Sequence, residues 1–264
     1  MLKLHILASG SRGNAAVVEN ATTGHGVLID CGICKRDFFA RCGEAGFDPA
    51  KLDAILITHE HGDHTKGLGV VMRGLAKIGR RPAVYAAVET LRASKPLQEA
   101  DEACAVRALA PDRLVSAAGL SVFPFPTSHD AAASFGFRIE ANGDAAGFMT
   151  DTGIVGSEAH AHLENVRLLA LESNHDERML REGPYPYAIK QRIASDRGHL
   201  SNAQAQEELV ALLSDRLETV AAMHISENNN EYDLAKRGLR DALAREGHRA
   251  RVACGYQGRP TTLA

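Results

Sequence analysis

THEHGDH, residues 58–64, places three histidines and an aspartate within six positions, directly behind the apolar run AILI (54–57). Side chains two apart in a strand point the same way, so His59 and His61 leave the strand end on one side. Gly62 lets the chain turn, and Asp63 and His64 fall where a helix could start. Imidazole mixed with carboxylate suits zinc, and also manganese or iron. A single ion would take four ligands; two adjacent ions need more, some of them shared.

The remaining ligands are expected at later strand ends. His129 in FPTSHD follows LSVFPF (120–125), Asp151 in FMTDTG follows AAGFM, and His224 in AAMHIS follows VAAM. Each comes straight after an apolar run of strand length, at the sheet edge where α/β folds build their sites. His5, His25, His160, His162 and His248 lack that context and read as structural or surface histidines.

Apolar runs of strand length recur at 2–8, 15–19, 26–30, 54–58, 83–87, 120–125, 135–140, 145–150, 166–172, 220–225 and 251–254. Several are apolar on both alternations, as strands covered on two faces should be. Helical patterns fall at 37–46, 67–77, 157–164, 187–195, 202–215 and 233–246, and Ser201 with Gln204 forms a capping-box signature ahead of the fifth. Strands in blocks with helices between and after them predict an α/β (α+β) chain of two mixed sheets packed face to face, helices outside. No linker divides it, so residues 1–264 are expected to form one domain.

Composition fits a globular chain with a sizeable core: 264 residues, 45% hydrophobic and 24% charged. A net charge of −3 excludes a uniformly basic nucleic-acid binder but not local basic surfaces. No apolar run approaches the ~20 residues that span a bilayer, and MLKLHILASG reads as a first strand rather than a signal segment. The expectation is a cytoplasmic protein with no membrane contact and no obligate protein partner. Cys31 and Cys34, a lone CxxC among five cysteines, read as reduced thiols packed near a strand end.

Taken in order, Asp30 in LIDCG, THEHGDH, His129, Asp151 and His224 in MHIS resemble the metallo-β-lactamase superfamily over nearly the whole chain. The resemblance implies a four-layer αββα sandwich with a dinuclear site at one sheet edge. It assigns His59, His61 and His129 to one ion, Asp63, His64 and His224 to the other, and Asp151 to both. Zinc is the first expectation for the two divalent ions and manganese the second. Asp30 resembles the family's structural aspartate behind the site. A histidine at the position of His64 is one that the superfamily's phosphodiester hydrolases keep and many of its β-lactamases lack.

SGSRGN (9–14), LESNHD (171–176), YPYAIKQRI (185–193) and GHLSN (198–202) look like a small bacterial branch that includes a double-strand DNA exonuclease linked to repair. GHLSN is also similar to the RNase Z segment whose histidine acts as general acid near the metals. The chain departs from β-CASP nucleases in having no long insertion between Asp151 and His224, and from RNase Z in having no flexible arm.

These readings predict a metal-dependent hydrolase of phosphodiester bonds, a DNA exonuclease by resemblance, acting on nucleic acid with DNA favoured over RNA. A hydroxide bridging two ions, available near neutral pH, would attack phosphorus, oriented by Asp63. His199 would protonate the leaving oxygen, and Glu172 could hydrogen-bond His199. Ser9, Ser11 and Asn14 could cradle a phosphate or simply turn the chain. His175 could contact phosphate or pack. Arg178, Arg181, Lys190, Arg192 and Arg197, and separately Arg73, Lys77, Arg80 and Arg81, suggest a phosphate-tracking groove, with Tyr185 and Tyr187 available to stack on bases. The alternatives are a thioester or lactone hydrolase, or a hydrolase of small phosphodiesters, on the same dinuclear site.

Overall fold

The computed structural model describes residues 1–111 and 113–264. The first half of the chain builds one sheet from β1 (Leu2–Ala8), β2 (Ala15–Asn20), β3 (Gly26–Ile29), β4 (Leu52–Leu56), β5 (Ala83–Ala86) and β6 (Arg107–Ala108). The second half builds the other from β7 (Val115–Ala117), β8 (Leu120–Pro126), β9 (Phe135–Ala141), β10 (Asp144–Met149), β11 (Leu168–Glu172), β12 (Thr219–Met223) and β13 (Arg251–Cys254). A last strand, β14 (Thr261–Leu263), returns to pair with β1. Among the described residues the orders are β14-β1-β2-β3-β4-β5-β6 and β13-β12-β11-β10-β9-β8-β7.

Both sheets start as antiparallel meanders and continue parallel. The change comes at β3–β4 in the first sheet and at β10–β11 in the second. Parallel neighbours need crossovers, which supply α1 (Lys35–Ala45), α2 (Gly62–Thr65), α3 (Leu68–Lys77), α4 (Val88–Ala93) and α5 (Lys95–Cys104) on one side. On the other lie α6 (Ser157–Leu163), α7 (Glu177–Glu182), α8 (Tyr187–Ile193), α9 (Asn202–Ala211) and α10 (Tyr232–Arg245). None of the described helices is long and apolar enough to cross a membrane.

Period-2 alternation sorts the core into layers. On β11, Leu168 and Ala170 join the cluster between the sheets, with Leu4, Ile6, Leu56 and Phe137, whereas Leu169 and Leu171 face Leu209, Leu239 and Leu243 of the outer helices. On β4, Ala54 and Leu56 point inward while Ile55 packs with Phe38, Val71 and Leu75. The four layers are therefore helix, sheet, sheet, helix, as expected.

Among the described residues, three strands and four helices lie outside the expected patterns, and of these helices only the single turn α2 begins where a helix start was expected. The β7–β8 hairpin turns through Ala118 and Gly119, both at positive φ (59° and 66°). A two-residue turn of that type favours Asn-Gly, as occurs at Asn142–Gly143 between β9 and β10, with φ 53° and 77°. Strands β6 and β14 are too short to carry alternation. In α5 only Leu97 and Ala100 are buried, too thin an apolar stripe to read, α4 buries only Thr90, and α7 is a short helix capped by the Asp176 side chain on Met179 N. The predicted capping box of α9 is present in both directions. Strand 166–172 starts two residues later than expected, at Leu168, just after Arg167. Its guanidinium holds Asp144 and the Leu2 carbonyl, joining the start of β1 to the second sheet.

Phe137 is fully buried between the sheets. Phe137→Ala should cost about 3–5 kcal/mol, lowering the urea midpoint without changing the slope. A loss under about 1 kcal/mol would contradict a close-packed inter-sheet layer.

Candidate metal centre

Because β3 and β4 are parallel, and β8, β10, β11 and β12 share one direction, their C-terminal ends gather at single edges of the two sheets. Asp30, His59, His129, Asp151, Glu172 and His224 all stand at or just past such ends. Three of them, Asp30, Asp151 and His224, have positive φ of 60°, 58° and 52°. This left-handed turn costs a non-glycine residue roughly 1–2 kcal/mol, and such outliers gather at functional sites.

THEHGDH is held from behind by Asp30. Its Oδ1 accepts from Thr58 N (2.9 Å) and its Oδ2 lies 2.7 Å from His64 Nδ1. That contact orients His64 with Nε2 toward the site, the usual arrangement behind a metal-ligating imidazole. His61 caps α2, and Asp63 and His64 lie in its single turn. Close approach is built in: a Cβ on Gly32 would fall 1.5 Å from the Asp63 carbonyl oxygen.

His59 Nε2 and His61 Nδ1 are 3.0 Å apart, and His129 Nε2 lies 3.3 Å from His61 Nδ1. Asp63 Oδ2 sits 3.5 Å from His64 Nε2 and 3.6 Å from His224 Nε2. Asp151 reaches both groups, with Oδ2 3.5 Å from His64 Nε2 and Oδ1 3.9 Å from His129 Nε2. The seven residues thus form overlapping sets whose donor atoms could each hold an ion.

Besides His64, three more of these imidazoles have a partner on their second nitrogen. His59 Nδ1 is 2.9 Å from Thr58 Oγ1, His129 Nδ1 3.1 Å from Gly198 O, and His224 Nδ1 3.1 Å from Glu172 Oε1. Two donor atoms aimed inward, Asp151 Oδ2 and His224 Nε2, are buried without any hydrogen-bond partner. Such a group costs about 1–3 kcal/mol. With five imidazoles and two carboxylates converging, the residues fit divalent metal ions, and the donor set suits zinc or manganese.

The electrostatics of the metal-free site agree. Burial alone would lower the pKa of His224, but the negative charges of Asp151, Asp63 and Glu172 around it push it up to about 10. Burial also opposes the charged form of His64, and Asp30 and Asp151 raise it well above the ordinary imidazole value. Burial would raise Asp63, yet the imidazoles of His224 and His64 beside it hold it far below the carboxylate range. The carboxylates hold positive charge in place as protons.

Glu172 and His199 meet as expected, Oε1 2.8 Å from Nδ1. Glu172 Oε2 accepts from Thr152 N and Leu200 N. Burial would raise this carboxyl, but the charge of His199 and hydrogen bonds from His199 and His224 hold it at about 2.

The other expected residues are scattered. Ser9 is buried and accepts from His224 N at 2.7 Å, so its hydroxyl positions a candidate ligand. Asn14 Nδ2 lies 3.0 Å from His64 Nε2 and 3.3 Å from Asp63 Oδ2. Ser11 is exposed on the loop. Arg192 pairs with Asp130 beside His129, and Arg197 donates to the His129 carbonyl at 3.1 Å. Lys190 Nζ donates to Arg181 O at 2.7 Å. His175 is buried, which lowers its pKa to about 4 against the charge of Glu172.

Arg80 lies elsewhere. Its Nε donates to Leu52 O at the start of β4, roughly five residues of strand, or ~16 Å, from the motif. The Arg73–Arg81 stretch therefore runs toward the opposite edge, because α3 carries the chain away from the ligands it follows. The five histidines read as structural lie outside the candidate metal groups among the described residues; His5, for instance, contacts Glu19 at 2.8 Å.

Sequence reasoning missed Thr58, Asn174 and Asp130. Asn174 Nδ2 donates to His224 O at 2.8 Å, and Asn230 in turn holds the carbonyls of Ser173 and Asn174. The signal was present in LESNHD, but loop side chains have no period to reveal their direction.

A family described as a β-lactamase superfamily domain matches residues 25–225. The chain is 35% identical over 245 residues to Exodeoxyribonuclease WalJ of Streptococcus pneumoniae, covering 92% of this chain and 88% of that one. It is 32% identical over 254 residues to Exodeoxyribonuclease YycJ of Bacillus anthracis, covering 93% and 90%. In fold it is similar to the metallo-β-lactamase fold protein YhfI from Bacillus subtilis, with a TM-score of 0.71, 16% identity and 99% of each chain covered.

A ligating imidazole is neutral, so an ion held by His224 would displace the proton that its raised pKa, about 10, favours at neutral pH. Calorimetric zinc titration of metal-free protein at pH 7.5, in buffers of different ionisation heat, should show about one or more protons released per chain. Affinity should fall as pH falls. Binding without proton release would contradict this charge arrangement.

Proposed function

The chain belongs to the metallo-β-lactamase superfamily, and from that premise we propose that it is a metal-dependent phosphodiesterase that removes nucleotides from DNA ends. The observation that carries this reading is the His199–Glu172 pair, 2.8 Å apart, beside the seven-residue ligand set. A phosphodiester leaves as an alkoxide and needs a proton; a thiolate leaving group needs little. The relatives named as exodeoxyribonucleases support DNA as the substrate.

In this reading His59, His61 and His129 hold one ion, Asp63, His64 and His224 the second, and Asp151 both; zinc is preferred and manganese is the alternative. Bound ions would supply hydroxide at neutral pH and neutralise the phosphoryl oxygens. Asp63, whose side chain is 23% exposed, faces the open side of the site and orients the attacking water. Glu172 holds His199 by Nδ1, so the proton for the leaving oxygen sits on Nε2. Arg192 and Arg197, exposed beside His129, steer the phosphate backbone. Asn14 and Ser9 keep His64, Asp63 and His224 in register. Action in the cytoplasm accords with a DNA substrate and with reduced cysteines, which are free among the described residues.

His199→Ala should keep its metal content while nucleotide release from duplex DNA slows about 10²–10⁴-fold. The assay compares linear duplex DNA, single-stranded DNA, structured RNA, a thioester and a lactone, with bound metal measured alongside. Metal lost from His199→Ala would make that residue a ligand instead. Turnover of thioester or lactone with every nucleic acid intact would contradict the phosphodiesterase reading.

A further inference from the structure

Between α7 and α8 lies a cavity of about 280 Å³ that the chemistry above does not use. Leu180, Tyr187 and Ala194 line it, with His175, Glu177, Arg181, Lys190 and Gln191 as its polar members. His175 is only 2% exposed, and its Nδ1 is buried without a hydrogen-bond partner. A buried polar atom left open in this way calls for an explanation, and an absent ligand is one. Tyr187 lines the cavity and is 77% exposed, so much of its ring is open to a stacking partner.

The cavity adjoins the catalytic segment. His175 bridges to Ser201, and Asn202 N donates to His175 O at 2.8 Å. Ser201 is two residues from His199, a reach of about 7 Å at most. The strand that ends in Glu172 leads into His175 three residues later. The chain that presents the proton donor therefore also backs the cavity.

Its chemistry suits a flat, apolar ring with polar edges better than a phosphate. Lys190 Nζ is engaged by the Arg181 carbonyl, and the Arg181 guanidinium lies 3.5 Å from Glu182. The volume lies at the small end of ligand pockets, about 300 Å³, enough for one base. Aromatic stacking of a base contributes about 1–3 kcal/mol and tolerates any sequence.

We infer that this cavity seats a nucleobase of the DNA being cut, stacked by Tyr187 and hydrogen-bonded at its edge by His175. The inference rests on the proposed nuclease reading for its ligand class. A base held there positions its strand against His199 and opposes sliding of the duplex end.

The test is titration of metal-free protein with the four deoxynucleosides, followed by ligand-observed NMR, with inorganic phosphate as competitor. Deoxynucleosides should bind, phosphate should fail to displace them, and Tyr187→Ala should weaken binding at least tenfold. His175→Asn should change the ranking among the four. Absent binding, displacement by phosphate, or a Tyr187→Ala protein that binds as well as the parent would each overturn the assignment. An unchanged ranking in a folded His175→Asn protein would remove His175 from it. Because a nucleoside has no phosphodiester bond, this result is independent of whether the metal-loaded protein cleaves DNA.

Discussion

Neither sheet holds the candidate ligand set alone. His59, His61, Asp63 and His64 come from the end of β4 in the first sheet, and His129, Asp151 and His224 from β8, β10 and β12 in the second. Asp151 joins them, one oxygen near His64 and the other near His129. Burying a carboxylate is expensive unless opposite charge is fixed around it, so the sandwich must close before these groups find partners. Ions that bind only the closed form stabilise it by mass action, which makes the site part of what holds the two sheets together.

Behind the ligands stands a continuous polar network. Asp30 anchors Thr58 and His64, Glu172 serves His224 and His199 together, and Asn230 pins the segment that carries Asn174. Ser9 ties the end of β1, in the first sheet, to His224 in the second. Networks of this kind are stable only when every member is satisfied, and the atoms left open, Asp151 Oδ2 and His224 Nε2, point to where cations belong. Glu172 contacts two imidazoles with one carboxylate oxygen, His224 at 3.1 Å and His199 at 2.8 Å.

Much of this was legible in the chain. Strand ends announce themselves as apolar runs, and THEHGDH, His129, Asp151 and His224 each follow one, so convergence at one edge could be inferred from parallel pairing. Glu172 and His199 were paired across 27 residues on the strength of their motifs. What could not be read was direction within loops. Ser9 and Asn14 turn inward to His224 and His64 while Ser11 turns out, although all three share one loop. Nor could the chain show that α3 leads Arg80 away from the ligands, or that Ala118 would accept a left-handed turn between β7 and β8.

The most direct test follows metal content and nucleotide release in one titration. Metal-stripped protein receives zinc or manganese in steps, and each step is assayed on end-labelled linear duplex DNA. The account predicts little release at one ion per chain and full release as the second binds, with none from Asp63→Ala. Full activity at one ion per chain would contradict the dinuclear site, and intact DNA with two ions bound would contradict the nuclease.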